Sequence, residues 1–188
     1  MKKIAVLVSG GGTNLQALID DGIDISLVIS SRSGAYALTR AERNKIKTQT
    51  VEWAEYKPNR EGFSREILNI LKSNNIDLVV YAGFMIILSD CVCDAYPGAM
   101  LNVHPSLIPA FCGEGYYGLK VHEAALQRGV KLSGATVHIV NNVCDGGPIV
   151  LQKAVEVHEN DTPESLQARV MEAERELLPA AVRLLCEK

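Results

Sequence analysis

With 188 residues, 47% hydrophobic and 22% charged, the chain has the composition of a soluble globular domain large enough to bury a full core. Its net charge of −3, with acids and bases interspersed, argues against the basic face of a nucleic-acid binder, and no stretch reaches the length of a membrane span. The apolar run after Met1-Lys2-Lys3 stops at Ser9-Gly10, too short for a signal core, and the five cysteines lack zinc or redox spacing, so reduced, mostly buried thiols in a cytoplasm are expected.

The first half alternates strand and helix patterns. Residues 4–8, Ile4-Ala5-Val6-Leu7-Val8, are continuously apolar and predict a central strand covered on both faces. A helix over 15–20 ends near Gly22, a second strand spans 25–30, a helix spans 36–43, and a weaker strand spans 47–51. Apolar residues at 63, 67, 70 and 71 give residues 60–73 a helical period, and 78–82 reads as a buried strand. This alternation implies βαβ units and a mostly parallel α/β sheet.

The second half differs. A strand through Met100-Leu101 reaches Asn102, then residues 105–118 are irregular and rich in Pro and Gly. A short helix spans 121–127. Strands at 135–140 and 149–157 are separated by Asn141-Asn142-Val143-Cys144-Asp145-Gly146-Gly147-Pro148, which predicts an antiparallel pair with a long loop, or two strands crossing the sheet edge. Thr162-Pro163-Glu164 supplies a cap, a proline at the first position and an acid in the first turn of a last helix running to Leu185. There is no repeat, low-complexity segment or linker, so residues 1–188 are expected to form one domain.

Four motifs carry chemistry. Ser9-Gly10-Gly11-Gly12-Thr13-Asn14-Leu15 lies between the first strand and helix, where three glycines and a helix N-terminus suit a phosphate. It lacks a P-loop lysine, and Leu15 stands where a dinucleotide fingerprint needs its third glycine. Gly113-Glu114-Gly115-Tyr116-Tyr117-Gly118 matches that fingerprint by letter but follows no strand, and reads as a surface loop near the site. Asn102 and His104, two residues apart on an extended segment, point the same way and can converge on one developing oxyanion, with Pro105 and Pro109 fixing the chain after them. Asp145-Gly146-Gly147-Pro148 is a turn that can present Asp145 toward His104, where a carboxylate favours the imidazolium form. His122, His138 and His158 show no ligand spacing, so no metal is expected, although His138 can line the pocket. No serine elbow or cysteine nucleophile signature occurs, which leaves the nucleophile to the substrate.

In order along the chain, Val8-Ser9-Gly10-Gly11-Gly12-Thr13-Asn14-Leu15-Gln16, Ala82-Gly83-Phe84-Met85, Leu101-Asn102-Val103-His104-Pro105-Ser106-Leu107-Ile108-Pro109 and Asp145-Gly146-Gly147-Pro148-Ile149-Val150 closely resemble the phosphoribosylglycinamide formyltransferase branch of the folate-dependent formyltransferases. The resemblance spans nearly the whole chain and implies a Rossmann-like formyltransferase sheet with helices on both faces and an antiparallel C-terminal part. It implies transfer of the formyl group of 10-formyltetrahydrofolate, the co-substrate, to the amine of glycinamide ribonucleotide, in a monomer or homodimer without metal. Asn102 and His104 would hold the oxyanion and Asp145 would handle the proton. Gly12, Thr13 and Asn14 would hold the substrate phosphate, and Glu174 would contact the ribonucleotide rather than being a solvated helical acid. Met85, Ile86, Leu88, Val140, Asn141 and Val143 would cradle the folate. The chain departs from many members at Ile86, where they carry Arg, and at Lys120, where others carry His. The alternatives are a formyltetrahydrofolate hydrolase and a non-catalytic nucleotide-binding module. A methionyl-tRNA formyltransferase would need an RNA-binding domain after the last helix.

Overall fold

The computed structural model describes residues 2–187 and contains one seven-stranded sheet. The elements are β1 (Ile4–Val8), α1 (Thr13–Asp20), β2 (Ile25–Ser30), α2 (Tyr36–Arg43), β3 (Thr48–Thr50), α3 (Trp53–Tyr56), α4 (Arg60–Ser73), β4 (Leu78–Tyr81), α5 (Asp90–Ala95), β5 (Met100–His104), α6 (Leu119–Arg128), β6 (Leu132–Ile139), β7 (Ile149–Glu156) and α7 (Pro163–Cys186).

The sheet order is β3-β2-β1-β4-β5-β6-β7. Strands β1 to β5 pair in parallel, and β6 and β7 are antiparallel additions. The long-loop antiparallel pair is therefore the arrangement adopted by the last two strands, and neither crosses the sheet.

Period-two alternation divides the core. Ile4, Val6 and Val8 of β1 enter one layer with Leu15, Leu18, Ala37, Ala41, Ala125 and the apolar face of α7. Ala5 and Leu7 enter the opposite layer with Phe63, Ile67 and Leu71 of α4 and Val92 of α5. Both faces of the strand are covered, which is why it contains no polar residue. Helix α4 starts where the Asn59 side chain accepts from the Gly62 N–H, and its buried residues recur at i and i+4. Helix α7 is opened by a reciprocal capping box between Thr162 and Ser165, with Pro163 in the first turn.

Several local expectations need correction. Helices α3 and α5 were not foreseen, β3 is shorter than residues 47–51, and β6 begins at Leu132 rather than residue 135. All five cysteines are free as expected, but none is fully buried: Cys91, Cys93 and Cys112 are half-buried, and Cys144 and Cys186 are exposed. Cys91 and Cys93 only graze the second core layer from short α5.

The chain builds β2 and β3 on one side of β1, then returns to place β4 on the other. This reversal opens a crevice beyond the C-terminal ends of β1 and β4, the usual ligand position in an open α/β sheet.

Candidate active site

Strand β5 brings Asn102 and His104 to this end of the sheet. Its antiparallel register with β6 sets Asn102 opposite His138 and His104 opposite Thr136, so the three polar rings and amides share a face. The Asn102 Nδ2 lies 3.2 Å from His138 Nε2. Thr136 braces the chain after β5: its Oγ1 donates to Ser106 O and accepts from the Ile108 N–H.

The β6–β7 loop delivers the carboxylate. Asp145 has φ +53°, a left-handed conformation that Asp tolerates better than most residues. Gly147 lets the loop lie directly on the end of β6, since a Cβ there would meet Ile139 O at 1.9 Å. Asp145 Oδ2 then lies 3.4 Å from His104 Nδ1, and Oδ1 lies 3.4 Å from both His138 Nε2 and Asn102 Nδ2. The Gly113 N–H donates to Asp145 Oδ2 at 2.9 Å. Burial by itself would raise the Asp145 carboxyl. Hydrogen bonding from His138 and Gly113, with the charges of His104 and His138, outweighs that and holds it below its usual value.

His104 Nε2 lies 2.9 Å from Phe111 O, while its Nδ1 faces the Asp145 carboxylate. Both neighbours are acceptors only, so each ring nitrogen faces a group to which it can donate. An imidazole N–H and a neighbouring amide, both donors on one strand face, are suited to stabilising an oxyanion. The thiols of Cys112 and Cys144 are shifted toward the protonated form. Burial, then the Asp145 charge, pushes both Cys112 and Cys144 up from the usual thiol value.

The glycine loop lies across the crevice. Gly12 caps α1 with φ +72°, and a Cβ on it would lie 2.7 Å from Ala37 Cβ. Asn14 is buried in the first turn of α1, and its Nδ2 donates to Glu174 Oε2 of α7 at 2.8 Å. Glu174 is 8% exposed, which excludes the solvated helical acid. Burial pushes its carboxyl up, against smaller opposing effects of the Asn14 hydrogen bond and Arg175.

Ser9 ties this loop to the one after β4. Its N–H donates to Gly83 O, and its Oγ accepts from the Met85 N–H at 3.0 Å and lies 2.7 Å from Ser31 Oγ. Met85 is 53% exposed and Val143, in the Asp145 loop, is 64% exposed. Ile86 and Val140 are half-buried against the second core layer, and Asn141 Oδ1 accepts from the Val143 N–H. Leu88 is buried in that layer, so its side chain supports the loop instead of facing the crevice. No group of three or more His, Cys, Asp or Glu suited to a metal ion occurs among the described residues.

A formyl transferase family model matches residues 2–182. The chain belongs to the formyl transferase family. This formyl transferase is 43% identical to the human trifunctional purine biosynthetic protein adenosine-3 over 97% of the chain, but spans only 18% of that protein. It is 35% identical to the phosphoribosylglycinamide formyltransferase of Bacillus subtilis, covering 98% of this chain and 95% of that one. Its fold superposes on the glycinamide ribonucleotide transformylase 1 of Symbiobacterium toebii with a TM-score of 0.92, at 40% identity, covering 100% and 88% of the two chains.

Asn102 and His104 share a strand face as their spacing predicts, Asp145 adopts the approach to His104 that its turn allows, and Asn14 meets Glu174. Two parts of the array carry no sequence signal, and His138, expected only to line the pocket, bonds within it. The Phe111 carbonyl and Gly113 N–H are backbone groups with no side-chain signal, and the role of His138 depends on the β5–β6 register.

Proposed function

We propose that this chain transfers the formyl group of 10-formyltetrahydrofolate to the amine of glycinamide ribonucleotide, in the cytoplasm, as a step of purine synthesis. The observation that carries this reading is the 3.4 Å approach of Asp145 to His104 beside Asn102, in the crevice that the glycine loop also borders. Family membership supplies the reaction class, and the names of the full-length relatives suggest the acceptor.

In this reading the substrate amine attacks the formyl carbon. Asn102 and His104 donate to the oxygen as it gains charge, with His104 exchanging its Phe111 carbonyl partner for that oxygen. The new C–N bond forms, the bond from the formyl carbon to the folate N10 breaks, and the proton lost by the amine goes to that nitrogen. Asp145 keeps His104 oriented and protonated while this proton moves. The N–H groups at Gly12, Thr13 and Asn14 hold the phosphate, and Glu174 faces the ribonucleotide. The exposed Met85 and Val143 are apolar surface that a flat folate ring would cover, and the residues present suit that co-substrate.

The test is a formyl-transfer assay with glycinamide ribonucleotide beside a water-only control. Formylation of the amine supports the reading. Tetrahydrofolate release at equal rate without the acceptor would establish a hydrolase, and ribonucleotide binding without turnover a non-catalytic module.

A further inference from the structure

Helix α2 grips the glycine loop from behind. The Ala37 N–H donates to Gly10 O at 3.0 Å, and Arg40 Nε donates to Gly11 O at 2.8 Å. In a trans peptide the carbonyl and the following N–H point in opposite directions. With both carbonyls held against α2, the N–H groups of Gly11 and Gly12 turn outward, beside those of Thr13 and Asn14 at the start of α1. None of these four N–H groups donates a hydrogen bond among the described residues. Asn14 Oδ1 is also buried without a partner among them; as an acceptor it suits a donor such as a ligand hydroxyl, while the four N–H groups are the ones suited to the phosphate.

Arg40 is itself held at two further points, and it packs close to Gly12. Its Nη1 donates to Gln16 Oε1 at 3.1 Å, its guanidinium lies 5.1 Å from the centre of the Tyr36 ring, and its Cδ is 3.3 Å from the position a Gly12 Cβ would take. It pairs with no carboxylate among the described residues, so its charge is not neutralised. It also lines a groove of about 570 Å³ of mixed charge, where Arg175 and Arg183 stand beside Asp20, Asp21 and Glu176, so the positive charge offered to an anion is that of Arg40 at the glycine loop and not of the groove.

We propose that Arg40 is a positioning residue for the phosphate of the acceptor: it locks the outward orientation of the Gly11 and Gly12 amides and adds an unneutralised positive charge behind them. This rests on the acceptor reading given above, but the ligand chemistry is phosphate alone and can be tested without turnover. Removing a charged hydrogen-bond donor of this kind is expected to weaken phosphate binding about 10- to 100-fold.

Two measurements test it. Amide chemical-shift titration with inorganic phosphate should move the Gly11, Gly12 and Thr13 signals of the unmodified protein, and Arg40→Gln should raise the dissociation constant at least tenfold. Phosphate-insensitive amides in the unmodified protein, or equal affinity in the variant, would overturn the proposal. In steady-state kinetics Arg40→Ala should raise KM for glycinamide ribonucleotide far more than it lowers kcat, with Arg40→Lys falling between because it restores charge but not the fork. The corresponding riboside, which lacks the phosphate, should lose little; an equal penalty on both acceptors would mean that Arg40 only supports the fold. If the unmodified protein formylates neither acceptor while its amides still respond to phosphate through Arg40, the acceptor assignment fails and the positioning role stands.

Discussion

Asn102 and His104 differ in what they lose on substitution. Asn102 shares its Nδ2 with Asp145 and His138, so its removal unsettles a network, whereas His104 faces the carboxylate through Nδ1 and keeps Nε2 for a second partner. Its contribution is greatest when the formyl oxygen carries charge. His104→Ala is therefore expected to lower kcat by about 10³-fold with only a modest change in ribonucleotide affinity, as removal of one oxyanion donor does elsewhere. Turnover close to that of the unmodified protein in a formyl-transfer assay would refute the role. The pair was legible in sequence because i and i+2 on a strand face the same way. The partnership with Asp145 was legible only as a possibility, since it lies 41 positions after His104 and a turn motif carries no information about where its side chain lands. Arg40 had no sequence signal: it is one of two arginines on its helix, and only the closeness of α2 to the glycine loop distinguishes it.

Among the elements, the β6–β7 loop is the most exacting. Gly147 packs onto Ile139 O, and Pro148 O accepts from the Ile139 N–H at 2.8 Å, so the loop is fastened to the end of the strand that carries His138. A methyl at Gly147 would have to push the backbone away and take Asp145 with it. Gly147→Ala is expected to cost about 1–3 kcal/mol of stability and at least tenfold in kcat/KM. Thermal unfolding and a transfer assay on the same preparation would check both, and a variant with unchanged activity would show that Asp145 does not depend on this contact. The long elements followed from their hydrophobic periods, while α3 and α5, with four and six residues, are too short to show one. The start of β6 was missed for another reason: Leu132 is exposed at the sheet margin and Ser133-Gly134 breaks the apolar pattern, so pairing with β7 alone extends the strand there.

For the molecule as a whole, one source of acid sensitivity is a residue with no assigned chemistry. His122 of α6 is buried, and burial, reinforced by the charge of His104, lowers it to about 4; its Nδ1 has no partner among the described residues. The unfolded chain takes up that proton near 6.5, so the folded state loses stability as pH falls from there toward about 4 and loses no more from this group below it. The loss should be on the order of 2 kcal/mol after allowance for solvent screening. Denaturant unfolding between pH 7 and pH 4 should show it, and His122→Gln should flatten the dependence over that window; an equally steep curve in the variant would place the sensitivity elsewhere.

Ser9 gives the crevice one more property. Its N–H and hydroxyl are both committed to the backbone from Gly83 to Met85, while the residue after it opens the glycine loop. The two loops therefore share a hinge pin, and neither can rotate at that point without dragging the other. If each loop seats a different substrate, linkage makes the exchange symmetric: whatever help or hindrance the first arrival gives the second, the second gives back in equal free energy. Order of arrival would alter the path between those states but not the energy of the final complex, and Ser9 is the atom-level joint through which that reciprocity would pass.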